Sequence, residues 1–165
     1  MKGNDKVIQK LNDLLAEELT AINQYMVHSE MCEDWKYEQL HKQIRARAFN
    51  EMVHAEKLIE RILFLEGRPT VSVLQTIKIG DEVEKQHQND LALEISAIRS
   101  YNEGIKIALD AGDNGTRELL NSILEEEEEH LDTLEAQIDQ IKQIGIQNYL
   151  AQQIYPNNLI LRCLI

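Results

Sequence analysis

Glu51 and Glu127, which lie in apolar patterns, are each followed three residues later by a histidine. The segments read E-M-V-H at residues 51–54 and E-E-E-H at residues 127–130. In a helix this spacing places the carboxylate and the imidazole on the same face. Together with Glu18 and Glu94, which lie in similar apolar patterns, they make a set of four carboxylates and two imidazoles without a thiolate. Such a set suits two ions of the iron or manganese type rather than zinc or copper.

Helical periodicity places one glutamate inside the apolar stripe of each of four segments. An ionised carboxylate in a dry core costs several kcal/mol, so four converging glutamates require positive charge among them. A pair of metal ions supplies that charge. The predicted metal ligands are Glu18, Glu51, His54, Glu94, Glu127 and His130.

An internal repeat supports this interpretation. Four pairs of residues are separated by the same 76 positions, namely Glu18 and Glu94, Tyr25 and Tyr101, Glu51 and Glu127, and His54 and His130. The sequence therefore predicts two pseudo-equivalent halves around one site. Tyr25 and Tyr101 lie on the same stripes as Glu18 and Glu94, either as core aromatics whose hydroxyls need a partner or as donors to metal-bound carboxylates.

Four long helices must position these groups. Apolar periodicity predicts helices over about residues 5–35, 37–66, 81–111 and 116–144, with a short fifth helix before Pro156. Only 7 glycines and 2 prolines are present, and aromatic residues make up 5%, a composition that favours helices over sheets. Short joints predict two antiparallel hairpins. The 14 residues from Gly67 to Gly80 reach roughly 45 Å when extended, enough to cross the bundle.

One long crossover between two helical hairpins is the ferritin-like variant of the antiparallel four-helix bundle. Carboxylate-bridged metal proteins with this fold combine single glutamates with Glu-x-x-His motifs in the arrangement seen here. The predicted fold class is therefore all-α, with residues 1–154 forming the ferritin-like unit. Residues 155–165 form an apolar C-terminal extension without an assigned role.

Charge and cysteine content exclude several function classes. The formal net charge is −12 at pH 7, which disfavours nucleic acid and anionic membranes as partners and favours cations. No stretch approaches the roughly 18 apolar residues of a membrane span, and the charged N-terminal residues do not resemble a secretory signal. Cys32 and Cys163 form no C-x-x-C pair, so we expect a reducing, cytoplasmic location.

Longer matches identify a family resemblance. The segments are MKGNDKVIQKLN, LAEELTAINQY, EMVH, ERILFLEG, DLALE, EEEEEH and QNYLAQQI. With them the chain resembles the bacterioferritins over nearly residues 1–154. The resemblance implies a cytoplasmic cage of 24 identical subunits. Such a cage oxidises Fe(II) with O2 or H2O2 at a di-iron ferroxidase centre, stores the ferric product as a mineral and receives electrons from a donor protein.

The resemblance also assigns roles to residues. It implies that Glu51 and Glu127 bridge two iron ions, while Glu18 and Glu94 with His54 and His130 are terminal ligands. It further implies that Met52 from two subunits binds one b-type haem, in a pocket lined by Leu19, Ile22, Asn23 and Met26. Without the resemblance, Met52 reads as interface packing. Where the family often has tyrosine, histidine and aspartate, this chain has Arg45, Ala46 and Asn50.

Two alternatives and one assembly prediction accompany the iron-storage hypothesis. One alternative is a di-iron oxidase that removes peroxide and stores little iron. The other is a structural helical oligomer whose stripe glutamates are protonated and metal-free. An outward apolar stripe, made by Phe49, Met52, Ile59 and Leu63, would be a large exposed patch on a monomer and predicts an oligomer.

Overall fold

The computed structural model describes residues 1–154 and contains five helices over that range. They are α1 (Asp5–Asp34), α2 (Glu38–Phe64), α3 (Val83–Asp110), α4 (Asn114–Ile144) and the short α5 (Ile146–Ala151). No strand occurs among these residues, which confirms the all-α prediction. The predicted apolar extension, residues 155–165, lies outside the described residues.

The contacts between helices define an antiparallel bundle. Gly3 N donates to Leu65 O at 2.9 Å, so the start of α1 lies beside the end of α2. Lys10 Nζ donates to Ser100 Oγ at 2.9 Å and Gln24 Nε2 to Asp90 Oδ1 at 2.7 Å, so α1 and α3 also run in opposite directions. Helix α3 is therefore parallel to α2, as the long crossover predicts.

The crossover lies along α1, whose side chains pair with its backbone. Asn12 Oδ1 accepts from Thr70 N at 2.7 Å and Thr20 Oγ1 accepts from Gln75 N at 2.8 Å. Further along, Gln24 Oε1 accepts from Lys78 N and His28 Nε2 from Gly80 N, both at 3.0 Å. An extended segment without a strand partner needs such acceptors for its N–H groups.

Three helix ends differ from the prediction by two residues, and one of them is the start of α3, which lies at Val83 rather than Asp81. Helix α2 ends at Phe64 rather than Glu66, because Glu66 itself adopts the left-handed conformation, with φ of 60°. Glycine at position 67 serves close packing rather than the left-handed conformation, since a Cβ there would lie 2.7 Å from Ile8 Cγ2. Helix α4 begins at Asn114 because the Asp113 side chain accepts from Thr116 N and caps the first turn.

Two apolar clusters lie on either side of the glutamates. One contains Leu11, Leu14, Leu58, Leu120 and Ile123, and the other contains Tyr25, Leu40, Ile44 and Tyr149. Apolar periodicity predicts Leu91, Ile98 and Ile105 in the buried row of α3. The structure buries Asp90, Ala97 and Gly104 instead, and those three apolar residues are half-buried. None of the described helices is long and apolar enough to span a membrane.

Candidate metal centre

Each of the four long helices contributes one glutamate to a buried cluster at the centre of the bundle. Glu18 of α1 is 3% exposed, and Glu51 of α2, Glu94 of α3 and Glu127 of α4 are each 1% exposed. All six predicted ligands lie in this cluster, because His54 and His130 follow their glutamates by one helical turn. Along the bundle axis, apolar clusters on both sides of these positions bury the helix faces that carry the predicted ligands.

One half of the cluster, here called the His54 subsite, consists of Glu18, Glu51, His54 and Glu127. Their ligand atoms lie within 4.8 Å of one another. His54 Nδ1 lies 2.9 Å from Glu51 Oε2, 3.1 Å from Glu127 Oε1 and 3.8 Å from Glu18 Oε2. The Nδ1 atom of this imidazole thus faces the carboxylates.

The other half, here called the His130 subsite, consists of Glu51, Glu94, Glu127 and His130, again with ligand atoms within 4.8 Å of one another. His130 Nδ1 lies 3.1 Å from Glu51 Oε1, 3.4 Å from Glu127 Oε2 and 3.9 Å from Glu94 Oε1. Glu51 and Glu127 therefore belong to both subsites and use different oxygens toward the two histidines.

Both predicted tyrosines contact the glutamates across the repeat. The buried Tyr25 hydroxyl donates to Glu94 Oε1, and the buried Tyr101 hydroxyl donates to Glu18 Oε1. Each tyrosine therefore serves the glutamate of the other half. These side chains are core aromatics whose hydroxyls donate to the outer carboxylates, and donation to metal-bound carboxylates stays a prediction.

Burial and charge oppose each other in this cluster. Burial, together with the neighbouring carboxylates, raises the pKa of Glu18 and of Glu94 well above the usual value. Burial also disfavours ionised Glu127, but the close imidazoles of His130 and His54 outweigh it and lower the pKa of Glu127 to about 2. Burial likewise opposes charge on His130, and its carboxylate partners nevertheless raise the pKa of that imidazole to about 10.

The donor atoms fit a pair of metal cations. Within the described residues, Glu51 Oε1, Glu127 Oε1 and His130 Nδ1 are buried and lack a hydrogen-bond partner of suitable geometry. Unpaired buried acceptors are costly, and here they converge on common points. A carboxylate and imidazole set of this size suits iron or manganese.

Helical periodicity turns Glu126 away from the stripe of Glu127 and predicts that it lies on the solvated face or at an interface, so the sequence does not select it for the site. Glu126 Oε2 lies 3.1 Å from His54 Nε2, and Glu126 Oε1 accepts from Lys57 Nζ at 3.1 Å. The available signal was its position directly before Glu127. Asn50 holds the equivalent position directly before Glu51, and its Nδ2 likewise lies close to an imidazole, 3.4 Å from His130 Nε2.

A cavity of about 390 Å³ reaches the glutamates from beneath the crossover. Its walls include Gln75 and Lys78 of the crossover, which are exposed, and the buried Glu18, Glu94 and Glu127. The cavity therefore joins the outer side of the bundle to both subsites.

Met52 lies outside the bundle core and is 41% exposed. It lines a largely apolar pocket of about 300 Å³. Ile22 and Met26 share that pocket, whereas Leu19 and Asn23 do not. Leu19 packs against the core, and Asn23 Nδ2 donates to Leu19 O at 2.6 Å. Of the predicted outward stripe, Phe49, Met52 and Leu63 are exposed, while Ile59 packs against the core.

Comparisons with known proteins agree with this architecture. The family model described as a ferritin-like domain matches residues 8–144. The bacterioferritin of Brucella melitensis is 42% identical over 149 residues, which cover 90% of this chain and 92% of that protein. The bacterioferritin of Rhodobacter capsulatus is 40% identical over 156 residues, covering 94% and 97% respectively. The bacterioferritin of Mycobacterium bovis is 38% identical over 152 residues, covering 92% and 96%.

The matches to these relatives extend over nearly all of the chain, and all six predicted ligands lie within residues 8–144 of the family match. The resemblance read from the sequence is thereby confirmed, and the chain belongs to the bacterioferritin family of ferritin-like iron-storage proteins.

Proposed function

We propose that this protein oxidises Fe(II) to Fe(III) at the buried cluster and stores the ferric product inside a cage of 24 subunits. The observation that carries the proposal is that two four-residue metal subsites share Glu51 and Glu127. Two Fe(II) ions, as substrate, would then be bound side by side. Each gives up one electron, and O2 or H2O2 accepts the electrons.

The protein's own residues bind, orient and shield the two ions. Glu18 with His54, and Glu94 with His130, would each hold one ion, while Glu51 and Glu127 would bridge them. The four carboxylates offset most of the positive charge of the two ions, which makes burial of both tolerable. Tyr25 and Tyr101 hold the outer carboxylates in place through their hydroxyls, and the apolar clusters limit water around the centre.

Replacing both shared glutamates by glutamine tests the oxidation step. The variant Glu51→Gln/Glu127→Gln keeps side-chain volume but removes the charge that offsets the ions, so rapid Fe(II) oxidation is expected to disappear. Glu125→Gln/Glu129→Gln is the matched control, because it makes the same charge change at exposed positions of α4. Stopped-flow measurement of Fe(II) oxidation, with circular dichroism for helix content, compares the two. Oxidation of the shared-glutamate variant at the wild-type rate would refute the assignment.

Two further measurements separate this function from its alternatives. Metal analysis of the purified protein distinguishes a metal centre from a metal-free structural oligomer. The amount of iron deposited per assembled particle distinguishes storage from peroxide removal, because a detoxifying oxidase would turn over without retaining a mineral. Sedimentation tests assembly. A stable species at the subunit mass of 19.1 kDa would contradict the cage.

We also propose that the Met52 pocket forms half of a haem site completed by a second subunit. Phe49, Ile22 and Met26 make its wall apolar, and the Met52 thioether is accessible. Methionine is a soft ligand that suits haem iron, and a two-fold axis would present two such thioethers. Bound haem would supply electron transfer to the stored mineral, with the electrons coming from a donor protein in the cytoplasm.

Two methionines in one pocket permit a matched haem experiment. Met52→Leu fills the same space but removes the proposed ligand, so haem added to the apoprotein is expected to lose its wild-type optical bands. Met26→Leu makes the same change at another wall of the pocket and should leave those bands unchanged. If Met52→Leu binds haem with the wild-type spectrum, Met52 serves only packing.

A further inference from the structure

The two ligand histidines differ in what holds the ring nitrogen that points away from the site. His54 Nδ1 faces the carboxylates of its subsite, so a cation bound there meets Nδ1, and the proton resides on Nε2. That Nε2 lies 3.1 Å from Glu126 Oε2. A histidine ligand whose second nitrogen donates to a carboxylate has its tautomer and ring orientation fixed.

Glu126 is itself held in place. Its second oxygen, Oε1, accepts from Lys57 Nζ at 3.1 Å, so its two oxygens engage two different groups. The Glu126 side chain is 42% exposed, so salt and water weaken this arrangement without removing it.

The other half of the repeat lacks both groups. Residue 50, which is 76 positions before Glu126, is Asn50, and residue 133, which is 76 positions after Lys57, is Thr133. Asn50 offers a neutral amide at 3.4 Å from His130 Nε2. Thr133 Oγ1 donates to Glu129 O at 2.9 Å and leaves Asn50 unsupported. The His130 side chain is 11% exposed, whereas that of His54 is fully buried.

We propose that Glu126, supported by Lys57, is a positioning residue for His54 and makes the His54 subsite bind divalent cations more tightly than the His130 subsite. This inference rests on the proposed metal centre and adds an order of filling to it. The first cation enters beside His54, and the second enters beside His130 after Glu51 and Glu127 are already engaged.

Anaerobic titration with Co(II) tests the order without any turnover. Calorimetry gives the number of ions and their affinities, and the visible absorption of Co(II) reports its ligand field. The wild-type protein is expected to bind two Co(II) per subunit with affinities at least about 10-fold apart, since outer carboxylates on histidine ligands are worth roughly 10–100-fold in affinity. Glu126→Gln should weaken the tighter site about 10-fold, so that the two affinities approach each other.

The repeat supplies a variant with the opposite effect. Asn50→Asp places a carboxylate next to His130 with little change in size, and it should tighten the weaker site. Glu129→Gln, an exposed charge change on the same helix as Glu126, is the control and should change neither affinity. Lys57→Met should reproduce part of the Glu126→Gln effect, because it removes only the support for that carboxylate.

The outcomes distinguish this inference from the proposed function. Two Co(II) ions of equal affinity in the wild-type protein, or equal effects of Glu126→Gln and Glu129→Gln, would overturn the order of filling and leave the centre intact. Failure of the wild-type protein to bind two Co(II) per subunit, with no change in Glu51→Gln/Glu127→Gln, would overturn the metal centre itself.

Discussion

The two ends of the bundle, on either side of the central glutamates, are related by the internal repeat but differ in the residues that they bury. Beyond Tyr101 most of the buried residues are apolar, including Leu11, Leu14 and Ile123. Beyond Tyr25, the residues 76 positions away from these are His87, Asp90 and Arg47, all buried. The first group is here called the apolar end and the second, with Gln24 and His28, the polar end.

The crossover explains most of this difference. At the polar end, Asp90 Oδ1 lies 2.7 Å from Gln24 Nε2 and 2.9 Å from His28 Nδ1. The far sides of Gln24 and His28 accept the backbone N–H groups of Lys78 and Gly80. Asp90 therefore orients two side chains that pair the end of the crossover. A backbone without a strand partner is the reason for buried polar side chains here. At the apolar end the crossover is paired by Asn12 in an exposed contact, so the core there is left to the helices.

The largest expected effect comes from placing the polar end's acid in the apolar end. Leu14→Asp introduces a carboxylate at the position equivalent to Asp90, where the residues equivalent to Gln24 and His28 are Ser100 and Gly104. Truncating a buried leucine costs about 2–5 kcal/mol, and an uncompensated carboxylate adds to this. We expect a loss of at least about 4 kcal/mol in the free energy of unfolding, measured with denaturant at fixed subunit concentration. Leu14→Ala is the control, and an equal loss in both would show that the apolar end tolerates charge.

Acid should destabilise the polar end through His87. Burial lowers the pKa of His87 to about 4, whereas an unfolded histidine titrates near 6.5. The unfolded chain therefore binds more protons between these values, and stability falls as the pH decreases through that window. The contribution is about 2 kcal/mol between pH 7 and pH 5, from about 1.4 kcal/mol per pKa unit.

His87→Gln isolates this contribution, because glutamine can still pair with Tyr149 Oη, which lies 3.0 Å from His87 Nε2. The variant should lose less unfolding free energy than the wild-type protein when the pH is lowered from 7 to 5. Parallel pH profiles for the two proteins would mean that His87 is protonated in the folded state.

Weakening Asp90 should release the crossover without unfolding the bundle. Asp90→Asn removes the charge that holds Gln24 and His28, and we expect a loss of about 1 kcal/mol. Hydrogen exchange should accelerate at the amides of Lys78 and Gly80. Ile123→Val at the apolar end has a comparable cost, about 0.5–1.5 kcal/mol, and should leave those two amides protected. Equal acceleration in both variants would show general loosening.

The smallest difference is expected between the two tyrosines. Tyr25→Phe and Tyr101→Phe each remove one hydroxyl that donates to a buried glutamate, at a cost of about 1 kcal/mol. Glu94 retains the nearby Arg47 guanidinium, whose Cζ lies 5.5 Å from the Tyr25 ring centroid and which favours the ionised carboxylate. Tyr101→Phe should therefore cost a few tenths of a kcal/mol more in thermal unfolding of the metal-free protein. A larger loss for Tyr25→Phe would assign Arg47 no stabilising role.

Periodicity and spacing were sufficient to predict the bundle, and the matching segments indicated the family; both predictions are confirmed. Periodicity and spacing also singled out the six side chains that converge, because helical spacing and burial are local properties that a sequence carries directly. The end of α2 at Phe64 and the start of α4 at Asn114 were missed by two residues, since capping depends on the backbone conformation of single residues such as Glu66 and Asp113. The buried face of α3 was predicted one residue off, because contacts with α1 and α4 decide that Asp90 and Gly104 are buried. Asp90 pairs with Gln24, and a Cβ at Gly104 would lie 2.9 Å from Leu120 Cδ1.

The sequence by itself determined the helices, the crossover and the glutamates and histidines that each helix carries inward. Only the tertiary structure decided which oxygens face which histidine, that each tyrosine serves the opposite glutamate, and that Glu126 and Asn50 stand behind the two imidazoles. The physical reason is that these contacts join different helices. Their distances depend on how the helices are rotated and offset against one another, which the packing of all four apolar faces sets together.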